Sequence, residues 1–279
     1  DRQYRHTLVI PLYDESFDDV CRLIETPFEY SQSATAKGVL FILVVNAPLG
    51  GDEQAHSRTA ALLQQLTRII DPVFNNEGVI YGKTKSEHGL ILVDRCSDGR
   101  LIPKKQGVGL ARKIGADIAC QLITIGTVED HWIHSTDADV VLPADYFKAG
   151  EPTHAKTCVE GAVDIVALVY PFKHLPEQGY EIACTLYDWS LRYYVNGLMW
   201  AGSGYAYHTI GSLIAVDYEA YAKVRGFPKR AGGEDFYLLN KLAKLGVIHS
   251  LNAPVIDVAA RPSQRVPFGT GPALNKIAE

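Results

Sequence analysis

The sequence predicts an α/β fold with a mostly parallel central sheet flanked by helices. Three observations predict it. Short apolar runs rich in β-branched residues alternate with longer stretches of helical spacing. One run, Val39 to Val45, is apolar on both faces, which suits a strand buried inside a parallel sheet. Polar, glycine-containing or acidic segments follow the runs, where ligands bind in such sheets.

The elements follow in order. Strands are expected at Thr7 to Ile10, Val39 to Val45, Leu90 to Val93, His131 to His134, Ile165 to Val169 and Leu213 to Val216. A helix is expected over Phe17 to Glu29, where Phe17, Val20, Cys21, Ile24 and Phe28 share one face. A second runs from Arg58 to Ile70, closed by Pro72. A third covers Val108 to Ile123. A fourth covers Phe236 to Leu245, with Glu234 and Asp235 favouring its N-terminus. Leu186, Trp189, Tyr193 and Leu198 also have helical spacing, which suits a helix packed on the core.

Composition excludes several classes. Lys plus Arg is 27 and Asp plus Glu is 32, giving a net charge of −5 over 279 residues. Nucleic-acid affinity comes largely from neutralising phosphates, so no nucleic-acid partner is expected. The longest apolar run is far short of the roughly 20 residues of a spanning helix, so no integral membrane segment is expected. The first six residues hold no apolar signal core. The five cysteines are odd in number and widely spaced, with no CxxC pair, which fits free thiols in a reducing, cytoplasmic setting.

The chemistry-bearing residues sit after the strands. Asp14 and Glu15 follow the first, as helix cap or as ribose contact. Asn46 to Asp52 follows the second, as a turn or as a glycine loop open to a nucleotide. Gly107 to Gly115 only superficially resembles a dinucleotide fingerprint. It opens a helix that carries Arg112, with Lys104 and Lys105 just before it, either as an anion site or as a solvated basic turn. Asp137 and Asp139 follow the fourth strand. At positions i and i+2 of extended chain they share a side, and a hard divalent cation relieves their repulsion; an exposed turn is the plainer reading. Tyr180 to Tyr207 holds six of the 15 tyrosines and two of the three tryptophans, as core packing or as a sugar platform. Glu234 and Asp235 follow two glycines, as a helix cap or as a general base. Arg261 to Arg265 and Phe268 to Gly271 form a basic, glycine-containing tail, as a frayed terminus or as a lid over phosphates.

Taken in order, these segments resemble a family 2 type glycosyltransferase of the GT-A fold. The resemblance is carried by Ile10-Pro11-Leu12-Tyr13-Asp14-Glu15, Gly109 to Gly115, Asp137-Ala138-Asp139, Gly226-Phe227 with Glu234-Asp235, Leu245-Gly246 and Ser263-Gln264-Arg265. It runs from about Leu8 to Gly269. It implies an enzyme moving a sugar from a nucleotide-diphosphate sugar to an acceptor hydroxyl, with a divalent metal (Mn²⁺ or Mg²⁺) and the inverting outcome usual in the family. It further implies that Pro11, Tyr13 and Glu15 line the nucleoside pocket, with Asn46 beside them. Arg112 would lie near the base or diphosphate, and Arg265 near the diphosphate. Asp137 would contact ribose or metal, and Asp139 would bind the metal. Asp235 would be the base, supported by Glu234. Trp200, His208 and Gly233 are the acceptor-side candidates, with His208 and His249 as possible extra metal ligands.

The sequence departs from the family at two places. The second strand ends Asn46-Ala47-Pro48-Leu49 rather than Asp-Asp-Gly-Ser, which leaves the base and the role of Asn46 open. The usual Ala-Arg-Asn reads Ala111-Arg112-Lys113. The chain is expected to form one GT-A unit over 1–279, with a donor and metal half at 1–143 and an acceptor half at 144–279. The alternatives are a sugar-phosphate nucleotidyltransferase or a non-catalytic nucleotide- or sugar-binding module. Against the former, no glycine-rich basic loop follows the first strand.

Overall fold

The computed structural model describes residues 3–30, 38–84, 88–154, 164–262 and 269–278. The chain runs β1 (His6–Leu12), α1 (Phe17–Ile24), β2 (Val39–Asn46), α2 (Glu53–Ile69), β3 (Asp71–Asn76), β4 (Val79–Lys83), β5 (Gly89–Arg95) and α3 (Gly107–Thr124). It continues with β6 (Trp132–Ser135), β7 (Val140–Val141), a 3-10 helix (Tyr146–His154), β8 (Ile165–Val169), β9 (Phe172–Pro176) and α4 (Glu181–Trp200). The last elements are β10 (Ile214–Asp217), α5 (Tyr218–Lys223), α6 (Glu234–Leu242), β11 (Val247–Ser250), β12 (Ile256–Ala260) and α7 (Thr270–Ala278).

A nine-stranded sheet has the order β11-β8-β10-β6-β1-β2-β5-β4-β3. Its centre, β6-β1-β2-β5, is parallel, as the doubly apolar β2 predicts. The flanks depart from that pattern. β10 runs antiparallel to both β6 and β8, and β3, β4 and β5 form an antiparallel meander. The β3–β4 turn places Glu77 at φ 48° and Gly78 at φ 82°. Both values are left-handed, as a tight hairpin turn requires. Pro72 therefore does not simply close α2. It sits in the edge strand β3, where a missing N–H costs no ladder bond.

Side-chain alternation along the strands divides the core in two. Leu8 and Ile10 point with Phe41 and Leu43 to one face, covered by α1, α2 and the 3-10 helix. Val9, Ile42 and Val44 point to the other, covered by α3, α5 and α6. α1 stops at Ile24, earlier than its periodicity predicts. Pro27 lies just beyond, and Phe28 enters the core from loop backbone. α2 starts earlier than expected, because Asp52 caps it through the N–H groups of Gln54 and Ala55.

A second, three-stranded sheet, β7-β12-β9, stands beside the first. It matters for the site. β12 pairs with β7 immediately after the Asp137-Ala138-Asp139 segment, and Ala259 N–H donates to the Asp139 carbonyl at 3.0 Å. Of the two readings of this stretch, core packing does not hold for Leu186, Trp189 and Tyr193. All three are exposed, and α4 instead buries Ala183, Cys184 and Val195. Spacing shows that a helix has a stripe. It does not show which stripe faces the protein.

Candidate active site

The carboxyl ends of β1 and β6 bring the acidic residues together. Ser135 ends β6 and points to the face covered by α3. α3 opens at Gly107 and carries Arg112 on its second turn, 3% exposed, aimed at that strand end. Gly109 makes this placement possible. A Cβ there would stand 2.4 Å from the Pro228 carbonyl oxygen and 2.6 Å from that of Arg230. α3 therefore packs directly on the loop that leads into α6.

Arg112 spends its donors on protein acceptors. Nε donates to Glu234 Oε1 at 2.8 Å, Nη1 to Ser135 Oγ at 2.8 Å, and Nη2 to Asp137 Oδ1 at 2.6 Å. The resemblance placed Arg112 near base or diphosphate. The geometry makes it the buried bracket that joins α3, β6 and α6. It draws Glu234, itself buried, into an ion pair.

Asp235 is the next residue. It lies on the first turn of α6, after Gly233 at φ 70°. Only a residue tolerant of the left-handed region starts the helix there without strain. Burial pushes the Asp235 carboxyl up to about 6, and the neighbouring Glu234 and Asp137 charges push the same way. The Phe236 N–H and Arg112 act against that rise. Two adjacent acids thus take different roles: Glu234 is tied to a guanidinium, and Asp235 is held with a raised affinity for protons.

Asp139 and Glu15 form the second acidic pair. Arg261 Nη2 lies 3.0 Å from Asp139 Oδ2 and 3.5 Å from Glu15 Oε2. In the sequence Arg261 stands out only as the first residue of the basic tail, with no acidic partner indicated. It reaches the site because β12 delivers its C-terminal end beside β7, a pairing between positions more than a hundred residues apart. No local pattern encodes that. Arg265 lies outside the described residues.

The other predicted residues are placed as follows. Pro11 is a buried β1 residue opposite Val44. Tyr13 is half-buried, its ring 6.3 Å from that of His56. Asp14 is turned away into a two-pronged pair with Arg58, at 2.6 and 2.9 Å. Asn46 ends β2, and its buried Oδ1 has no hydrogen-bond partner among the described residues. His208 is half-buried with its ring edge-on to Phe172, and burial, then Arg192, lowers its pKa. Trp200 ends α4, almost fully exposed. His249 stands on β11 at the far edge of the large sheet.

A different cluster has metal-ligand chemistry. Donor atoms of His6, Asp130 and His134, all buried, lie within 4.8 Å of one another. His6 starts β1 and Asp130 precedes β6, so the cluster lies toward the amino ends of the parallel strands. His6 Nδ1 is 2.6 Å from Asp130 Oδ2, and His134 Nε2 is 3.6 Å from the same oxygen. The shorter distance is a direct hydrogen bond, so the group as built is an acid–imidazole network. The two imidazoles hold the Asp130 carboxyl well below its usual range against the cost of burial.

No protein-family profile and no curated protein matches the chain. Solved structures do. S. aureus TarS 1-349 in complex with UDP-GlcNAc is 11% identical, with a TM-score of 0.51 over 94% of this chain and 60% of that one. Mannosyltransferase PcManGT from Pyrobaculum calidifontis, in complex with GDP-Man and Mn2+, is 14% identical, with a TM-score of 0.49 over 94% and 59%. The chain thus spans about 60% of the length of the TarS structure. The fold is a GT-A-like glycosyltransferase fold, a mixed α/β sheet between helices. At 11% identity the two chains share a backbone path, and the side chains at the carboxyl edge are this chain's own.

Proposed function

We propose that this chain is a metal-dependent glycosyltransferase. It moves a sugar from a nucleotide-diphosphate sugar to an acceptor hydroxyl. The observation that carries the reading is one cluster: Asp137, Glu234 and Asp235 gathered on Arg112, with Asp139 and Glu15 beside Arg261, at the carboxyl ends of β1 and β6. Open α/β sheets bind their ligands at the carboxyl ends of the strands, which supports this edge as the donor side.

The donor set suits a hard divalent ion such as Mn²⁺ or Mg²⁺. Asp139 is a part-exposed carboxylate that already sits against a cation, Arg261. Asp139 and Asp137 would hold the ion, which, when bound, neutralises the departing diphosphate. The protein's own residues do the rest. Arg112 fixes Asp137 in place. Asn46 Oδ1 offers a buried acceptor to an N–H of the base, with Tyr13, Glu15 and Pro11 assigned to the nucleoside side. Asp235 takes the proton of the acceptor hydroxyl as its oxygen bonds to the anomeric carbon, and the diphosphate leaves with the bonding electrons. An inverting outcome follows if that attack is in line. A base whose pKa lies near 6 is charged at neutral pH yet still basic enough to accept a proton. His208 and Gly233 are assigned to the acceptor side, and Arg265 to the diphosphate. We assign residues 1–143 to donor and metal and 144–279 to the acceptor.

No helix of the described residues is long and apolar enough to cross a membrane. The described cysteines Cys21, Cys96, Cys120 and Cys184 are free thiols, which supports a cytoplasmic setting.

The test is a thermal-shift panel of nucleoside diphosphates with and without Mn²⁺. UDP or GDP should stabilise the chain only when the ion is present, and Asp139→Ala should abolish the effect. No stabilisation by any nucleoside diphosphate would remove the donor-site assignment.

A further inference from the structure

The outer face of α4 is apolar, aromatic and uncovered among the described residues. Ile182 is 78% exposed, Trp189 66%, Tyr193 84% and Trp200 92%, with Leu186 also exposed. These are not scattered positions. Ile182, Leu186, Trp189, Tyr193, Asn196 and Trp200 follow one another at steps of four, three, four, three and four. That is the spacing of a two-helix seam, carried almost the whole length of a helix about 30 Å long. The opposite face, with Cys184 and Val195, is the one that packs on the protein.

We propose that this face pairs with the same face of a second copy, the two α4 helices antiparallel about a two-fold axis at Leu191. Three observations select that occupant. First, the seam is self-complementary on reversal. An axis at position 191 sets Trp189 against the partner's Tyr193, Ile182 against the partner's Trp200, and Leu186 against the partner's Asn196, next to the small Gly197. A two-fold interface requires this property, since both copies offer the same patch.

Second, the area is right. Buried aromatic side chains cover roughly 150–250 Å² each, so this face offers on the order of 1000 Å² at the observed exposures. The largest apolar patch of a monomer is about 300–600 Å². A standard interface takes about 800 Å² from each partner.

Third, the charge pattern disfavours a lipid surface. Beyond Glu181, α4 carries two charged residues, Asp188 and the part-exposed Arg192, and they pair with each other beside the apolar face. Helices that lie on membranes are rich in Lys and Arg, which meet anionic lipid, and this chain has neither on that face and a net charge of −5.

Sedimentation velocity of the 279-residue chain over a wide concentration range tests the proposal. The expected species has twice the 30.7 kDa chain mass. Trp189→Glu and Tyr193→Glu should each weaken the dimer by at least about thirtyfold, as loss of a central aromatic anchor does. Both positions are exposed in one copy, so the circular dichroism and the melting of the separated chain should be unchanged. Trp189→Ser, a third variant that adds no charge, should act in the same direction. A monomer at all concentrations would overturn the proposal. So would a dimer that persists in all three variants, or a monomer that floats with phosphatidylcholine–phosphatidylserine vesicles.

Discussion

Replacing Arg112 by methionine removes the one guanidinium that ties α3 to β6 and α6. The side chain is 3% exposed, and it holds Glu234, whose side chain is 5% exposed, at 2.8 Å. Methionine keeps much of the apolar stem and deletes the charge. Glu234 is then a buried carboxylate beside Asp137 and Asp235, with its strongest partner gone. Breaking a buried pair from one side costs about 3–5 kcal/mol, because the remaining charge stays desolvated. At about 2–4 °C per kcal/mol for a large domain, the melting point should fall by roughly 6–20 °C. Glu234→Gln is the milder change. The amide oxygen still accepts from Nε, and Arg112 keeps Asp137, so about 1–2 kcal/mol is expected. A double-mutant cycle isolates the pair and should return a coupling of about 2 kcal/mol or more. Thermal melts of the four proteins at pH 7 supply all terms. If Arg112→Met melts within about 2 °C of the parent, or if the two substitutions simply add, the bracket carries no net stability and the reasoning fails.

The remaining predictions concern the same edge. Asp235→Asn should bind nucleotide with metal as before and lose transfer; full turnover would remove Asp235 as base. The parent rate should rise with pH through about 6, where Asp235 ionises in the folded chain. Because that pKa is raised, the group's contribution to stability is present below its ordinary range and lost as pH climbs through 6, so activity and stability should move in opposite directions there. A rate profile flat between pH 5 and 7 would contradict the first statement, and a pH-independent melting point difference between the parent and Asp235→Asn over that range the second. Arg261→Ala removes the cation that shares Asp139 with an incoming ion. Mn²⁺ titrated without nucleotide should bind up to about fivefold more tightly, the scale of a part-exposed ion pair, and weaker binding would show that Arg261 helps to hold the site instead. Gly109→Ala drives a methyl group into two backbone carbonyls, and about 1–3 kcal/mol of lost stability is expected in denaturant melts. An unchanged midpoint would mean that the 228–230 loop yields.

Much of the fold was legible because strand burial leaves a local mark. The doubly apolar Val39 to Val45 reads directly as the central parallel strand β2, and the structure agrees to within a residue. Short apolar, β-branched runs place β1, β5, β6, β8 and β10 to within two residues. The hairpin β3–β4 was missed, although its Asn76-Glu77-Gly78 turn carried the signal. β7, β9 and β12 were missed for a deeper reason. They are two to five residues long, too short for a periodicity to show, and only their mutual pairing makes them strands.

The site divides along the same line. Residue type and order within the chain singled out Asp137, Asp139, Glu234, Asp235 and Arg112, because acids at strand ends and helix starts are local features. What each one touches is set by contacts across 20 to more than 100 positions. Only the packing of α3 on the loop before α6 turned Arg112 from an anion ligand into a bracket for two acids. Only the β12–β7 pairing brought Arg261 to Asp139. Only the docking of α4 through Cys184 and Val195 left its aromatic stripe outside. The sequence by itself determined the periodicities and the inventory of charges, since both reside in neighbouring residues. The tertiary structure decided which face is inside and which charges meet, since burial and ion pairing depend on distance in space and not along the chain.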